Sequence, residues 1–242
     1  MSLQWVYKIF IENWPMFLEG AKITLQISLI STIIGTFVGF AIGIIKTMPK
    51  PKSLIGRIFY WILDKLLSMY IEIFRGTPMI VQSMIIYYGS AEAFGINMDR
   101  VMAGIFIVSI NTGAYIAEIV RGGIYSIDKG QFEAAESIGM NHFQIMVHII
   151  MPQVFRNILP SIGNEFVVNI KDTSVLNIIS VNELFFQTKS VAGNNLKYYE
   201  SFFIASVIYF IMTFTVTRIL RYIERKIDGP ENYSVIHNAM QV

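Results

Sequence analysis

The apolar pattern predicts five membrane-spanning helices, at residues 23–45, 70–88, 101–120, 158–184 and 202–220. Each approaches the roughly 20 residues needed to cross a bilayer. In the first, Gly35, Gly39 and Gly43 recur every four residues, which lays three positions without side chains along one helix face and lets a second backbone approach closely. Pro49 and Pro51 break the chain after it, among Lys46, Lys50 and Lys52. The next apolar stretch, 58–88, would make a straight helix of about 45 Å against a hydrocarbon core of about 30 Å. Because Asp64, Lys65 and Glu72 crowd its first half, residues 57–69 are expected along the membrane surface. Residues 121–156 are polar and amphipathic without an apolar run of spanning length, so they are expected in water or at the interface. Lys and Arg concentrate between the first two spans, in 121–156 and after the fifth span, where Arg218, Arg221, Arg225 and Lys226 lie. That bias predicts a cytoplasmic carboxyl terminus and an external amino terminus. The expectation is an all-α membrane protein with a single domain over 1–228 and a cytoplasmic tail over 229–242.

Composition narrows the chemistry. Of 242 residues, 54% are hydrophobic and 15% charged, a balance that one soluble core could not hide. The absence of cysteine excludes disulfides and thiolate metal sites. A net charge of +2 is too small for a nucleic-acid binder. The first apolar stretch is too long for a cleaved signal and carries no small-residue cleavage site, so it is expected to stay in the membrane. His142, His148 and His237 have no second ligand at metal spacing, and no metal is expected.

Three constellations carry information. The first is Glu133-Ala134-Ala135, then Gly139, then Ile149-Ile150-Met151-Pro152. Residues 131–138 suit a short helix stopped by Gly139, and Asn141 with Gln144 offers a capping box for a second helix closing before Pro152. The alanines leave a shallow face for an outside surface. The second is Glu72-Ile73-Phe74-Arg75-Gly76-Thr77-Pro78 followed by Gln82. Gly-Thr-Pro interrupts a helix, Thr77 can cap the portion that follows and Pro78 suits its first turn. The positive end so formed, with Arg75 beside it, favours a carboxylate; the plainer alternative is a proline kink with Arg75 snorkelling to headgroups. Third, Asn111, Tyr115 and Glu118 share one face of the third span, and Ser161, Glu165, Asn169 and Asp172 share an approximate face of the fourth, beside Lys171. Buried charges of this kind cost about 2.5–3.5 kcal/mol each, so they are expected to face a cavity or each other. The alternative is Lys171 paired with Glu118 or Glu165 to hold the bundle.

The Glu-Ala-Ala, Gly, Ile-x-x-Pro spacing resembles the coupling-loop signature of ATP-binding-cassette importer permeases, departing only at Met151, where that signature has leucine. The Arg75-Gly76-Thr77-Pro78 string is similar to that of their polar amino-acid branch, which handles histidine, glutamate, glutamine, arginine and opines. Further likeness lies in Leu18-Glu19-Gly20 with Thr24-Leu25, in Ala114-Tyr115 through Arg121-Gly122-Gly123-Ile124, and in Lys171-Asp172-Thr173-Ser174, so that it covers about 18–220. Residues 46–70 form a longer connection than that branch leads one to expect.

The resemblance implies a type I importer permease fold in a bacterial cytoplasmic membrane, and a translocation path for a polar or charged amino acid. It implies two ATP-binding-cassette ATPase subunits gripping a coupling segment over 129–152 through Phe132, Glu133, Ala134, Ala135, Gly139 and Pro152. A second permease, identical or homologous, and an external substrate-binding protein complete the implied assembly. The substrate candidates are Arg75, Thr77 and Pro78 for a carboxylate and Glu118, Glu165 or Asp172 for the ammonium group or a basic side chain, with Gln82, Asn111 and Tyr115 counted in the same site. The chain carries no Gly-x-x-x-x-Gly-Lys-Ser/Thr phosphate loop. ATP and Mg2+ are therefore expected on the partner ATPase, with no catalytic residue and no cofactor here. Two rivals remain open at this point: a secondary transporter using intramembrane carboxylates as ion carriers, and a channel or scaffold lined by the polar fourth span.

Overall fold

The computed structural model describes residues 2–228; the expected tail, with His237, lies outside them. The described residues form nine α-helices, α1 (Leu3–Ile45), α2 (Leu54–Gly76), α3 (Met79–Phe94), α4 (Arg100–Tyr125), α5 (Lys129–Ser137), α6 (His142–Ile145), α7 (Met151–Asp172), α8 (Leu184–Asn195) and α9 (Tyr198–Asp228). A π-helical stretch, Met146–Ile150, joins α6 to α7, and a 3-10 turn, Thr173–Ile179, follows α7. Four stretches, Leu3–Ile45, Arg100–Tyr125, His142–Ile179 and Tyr198–Ile227, are long and apolar enough to cross a membrane.

The glycine stripe does what its spacing predicts. A Cβ built on Gly39 would lie 2.6 Å from Cβ of Ile116, and one on Gly43 would lie 2.7 Å from Cβ of Val120. Gly35 meets Ser109 and Thr112 in the same way, so α1 and α4 lie parallel and backbone to backbone. Asn169 of α7 reaches across this seam. Its amide donates to Oγ1 of Thr32 at 2.9 Å and Oγ1 of Thr112 at 3.0 Å, clamping α1, α4 and α7 together. Val154 and Ile158 of α7 pack on Gly123 while Asn169 meets Thr112, which makes α7 antiparallel to α4. Leu220 of α9 covers Gly163 of α7. The carboxyl ends of α1, α4 and α9 and the amino end of α7 thus share one end of the bundle, and this end carries Lys46, Arg121, Arg156, Arg221 and Arg225.

Four expectations need correction. Helix α1 begins at Leu3 rather than near residue 23, because Ile9, Phe17 and Ala21 bury themselves against Leu184, Val191 and Ile204 despite the charged residues between them. The expected division between 57–69 and a second span from 70 is absent, since α2 runs unbroken from Leu54 to Gly76. The second helix of the polar segment does not close before Pro152: the π stretch hands over directly to α7, where Pro152 sits in the first turn and its missing N–H leaves no gap. The fourth span does not continue to 184. Its α-helix ends at Asp172, the 3-10 turn carries the stretch to Ile179, the chain turns at Ser180 in left-handed geometry (φ 60°), and Glu183 caps the start of α8.

Candidate functional site

The Gly-Thr-Pro string breaks the helix as expected, but its groups are satisfied differently. Thr77 does not cap α3; its hydroxyl donates back to the carbonyl of Ile73 at 2.7 Å. The buried Gln82 closes the end of α2, its amide donating to the carbonyls of Phe74 and Thr77 at 3.0 and 2.9 Å. Asn111 on α4 adds a donor to the Phe74 carbonyl at 3.1 Å and another to Oε1 of Gln82 at 2.9 Å. In hydrocarbon a carbonyl freed by a helix break has no water to turn to. Gln82 and Asn111 therefore hold the break open in a fixed geometry.

Two turns further along the same face of α4, a charged cluster forms. Glu118 accepts a two-pronged contact from Arg121, at 3.0 Å to Oε1 and 2.6 Å to Oε2, and lies 3.7 Å from the guanidinium of Arg75. Arg75 also rests over the Tyr115 ring, 5.4 Å from its centroid. Arg75, Glu118 and Arg121, with Lys46, Asp64, Ser68 and Glu72, line an open cleft of about 420 Å³. Asn111, Tyr115 and Glu118 thus do share a face, and it points at α2 and α3. The Glu118 carboxylate is committed to two arginines, whereas the half-exposed Arg75 keeps most of its donors free. Lys171 pairs with neither Glu118 nor Glu165 among the described residues.

The proposed face of α7 divides. Asn169 is 4% exposed and belongs to the interhelical clamp; Glu165 is half-buried, and Ser161 and Asp172 are exposed. No hydrogen bond or ion pair links Glu165 or Asp172 to the Arg75 cluster within the described chain.

The third element lies at the cation-rich end. Helix α5 starts at Asp128, whose side chain accepts from the Gly130 N–H. It ends where Gly139 takes φ 87°, a conformation that suits glycine. The capping box forms as its residues predict, Gln144 N–H donating to Asn141 and Asn141 N–H to Gln144. The faces are less simple. Ala135 is buried and packs with Phe132, Ile145 and Met146, so it anchors the segment, while Glu133, Ala134 and Gly139 face outward. Ile138 and Phe143 are 77% and 72% exposed and add an apolar surface that the motif does not mark. Side-chain amides of Gln131 and Gln153 fasten α5 to α7 at 2.7 Å.

Two features escaped the sequence. Arg121 is the main partner of Glu118, legible only as an i, i+3 spacing. Glu183 is fully buried, accepting from the N–H groups of Phe185 and Phe186 and from the Tyr209 hydroxyl; an isolated acid at a helix start gives little warning of that.

Known proteins resemble this chain in sequence and fold. The chain is 35% identical over 219 residues to the "Arginine transport system permease protein ArtQ" of Bacillus subtilis, covering 90% of this chain and 95% of the relative. It is 36% identical over 213 residues to the "Glutamine transport system permease protein GlnP" of Escherichia coli K12, covering 88% and 93%. Among solved structures it superposes on the "Crystal structure of an amino acid ABC transporter with histidines" with a TM-score of 0.78 and 35% identity, over 90% of this chain and 96% of the other. The "MetNI methionine ABC transporter" in an inward-facing conformation shares the fold alone, with a TM-score of 0.67 and 18% identity over 87% and 97%. Residues 39–229 match the model of a family described as "Binding-protein-dependent transport system inner membrane component", and the chain belongs to that family of multi-pass membrane permeases.

Proposed function

We propose that this chain forms the translocation path for a polar or charged amino acid and is driven by two separate ATPase subunits, which hold ATP and Mg2+. The observation that carries this is the α5–Gly139–α6 handle, a rigidly capped segment with outward Glu133, Ala134, Ile138 and Phe143 at the cation-rich end. Ala135 packs it against Ile145 and Met146, and Gln131 fastens it to Gln153 of α7, so a push on it is passed to that helix. The names of ArtQ and GlnP support an amino-acid substrate. The handle end is cytoplasmic and the amino terminus external, with five crossings, the second being the broken α2–α3 pair, in one domain over 1–228. A second permease completes the cavity and an external binding protein delivers substrate.

Within the cavity, Arg75 with the Thr77–Pro78 break receives the substrate carboxylate, Tyr115 keeps Arg75 in place, and Glu118 supplies its counter-charge. Glu165 and Asp172 are left to meet an ammonium group or a basic side chain; a zwitterion needs both signs at a fixed separation. Gln82 and Asn111 serve by fixing the break. Arg75→Lys keeps the charge and loses the planar fork. It is expected to lower ATP-driven uptake at least tenfold with the ATPase still bound, as measured in proteoliposomes. Glu165→Gln is expected to weaken uptake of basic amino acids more than of neutral ones; unchanged uptake of every amino acid tried would remove Glu165 from the site. Uptake driven by an ion gradient without ATP would favour a secondary transporter instead.

A further inference from the structure

We propose that the groove between the 46–53 connection and the first half of α2 is a binding site for the headgroup of an anionic phospholipid. The groove encloses about 600 Å³ and presents Lys50 and Arg57 together with the apolar surfaces of Leu54, Ile58 and Trp61. That combination is the chemistry of a phospholipid at the membrane boundary, where a phosphate meets cations and the upper acyl chain meets apolar side chains.

Four observations place it at that depth and give it its sign. Tyr60 donates to the carbonyls of Ile45 and Met48 at 3.3 and 3.2 Å, tying the groove wall to the last turn of α1, where the apolar run ends. Asp64, the one acid lining the groove, is already neutralised by Lys46 at 2.9 Å. By contrast Lys50, Lys52, Arg57 and Lys65 are exposed and make no ion pair among the described residues. Beside them Ile55, Phe59 and Trp61 are 83%, 69% and 61% exposed, an apolar flank that lipid covers. A second copy apposed through the same face would set these cations against their own counterparts, which disfavours a protein occupant. The leaflet follows from the orientation proposed above; the site itself does not depend on it or on transport.

The test is native mass spectrometry of the full-length chain purified in detergent and offered phosphatidylglycerol and phosphatidylcholine of equal chain length. The unaltered chain is expected to retain phosphatidylglycerol preferentially. Lys50→Gln with Arg57→Gln should lower that retention about 25-fold, roughly fivefold per cation, while Lys8→Gln near the other end of α1 leaves it unchanged. On the unaltered chain, the preference should fall as salt rises to about 0.5 M, a readout that needs no variant to fold. Equal retention of both lipids, an unaffected double variant, or displacement of the lipid by millimolar inorganic phosphate would overturn the proposal, the last by showing a free-anion site.

Discussion

Gly139→Val is expected to abolish ATP-driven uptake while leaving the chain folded in the membrane. At φ 87° Gly139 occupies backbone space that a β-branched residue enters only at a cost of order 1–3 kcal/mol. No neighbouring atom crowds that position, so the strain is relieved locally, by rotating α5 against α6. The outward set of Glu133, Ala134, Ile138 and Phe143 then ceases to be one surface. Co-purification with the ATPase subunits should fall tenfold or more, since about 1.4 kcal/mol is a factor of ten in binding, and the thermal midpoint of the chain should barely move. Glu133→Lys should weaken the same association without touching backbone geometry. Retained ATPase binding in both variants would detach the handle from coupling.

The opposite profile is expected at Gly39. There a leucine must displace Ile116 and the backbone of α4, because even its Cβ would sit 2.6 Å from the Ile116 side chain and 2.9 Å from the Ala117 amide nitrogen. Overpacking of a rigid seam costs about 3 kcal/mol, which for a chain of this size lowers the thermal midpoint by roughly 6–12 °C. Gly122→Ala on α4, where an added Cβ meets nothing within 4 Å, should be neutral or slightly stabilising, because alanine is the better helix former. The pair is read by thermal unfolding in detergent. A Gly39→Leu chain as stable as the original would show that α1 and α4 are not held at backbone distance.

These two positions also mark what the sequence makes legible. Wherever a single local rule decides the outcome, the residues announce it: four-residue glycine spacing for the α1–α4 seam, Gly-Thr-Pro for the break, Asn141 with Gln144 for the capping box, and Gly139 for the helix stop. Where a distant partner decides, they do not. The charges at Lys8, Glu12, Glu19 and Lys22 hide the amino-terminal half of α1, whose helix is explained by burial of Ile9 and Phe17 against residues far along the chain. Asn169 looks like its neighbours Glu165 and Asp172 in the helical repeat, yet Thr32 and Thr112 draw it into the core. Ala135 likewise turns inward because Ile145 and Met146 fold back over it. Of the candidate site, the shared face of Asn111, Tyr115 and Glu118 was readable from periodicity. That Gln82 and Asn111 spend their amides on backbone carbonyls was not, because it depends on where the break places those carbonyls.

If the α5–α6 segment is the point where a separate ATP-consuming machine grips this chain, transport requires that machine. The most direct measurement is solute uptake into proteoliposomes containing the purified chain, with and without its ATPase subunits and ATP. Uptake only when ATPase subunits and ATP are both present is the result predicted; uptake by the chain alone, at a comparable rate, would contradict it.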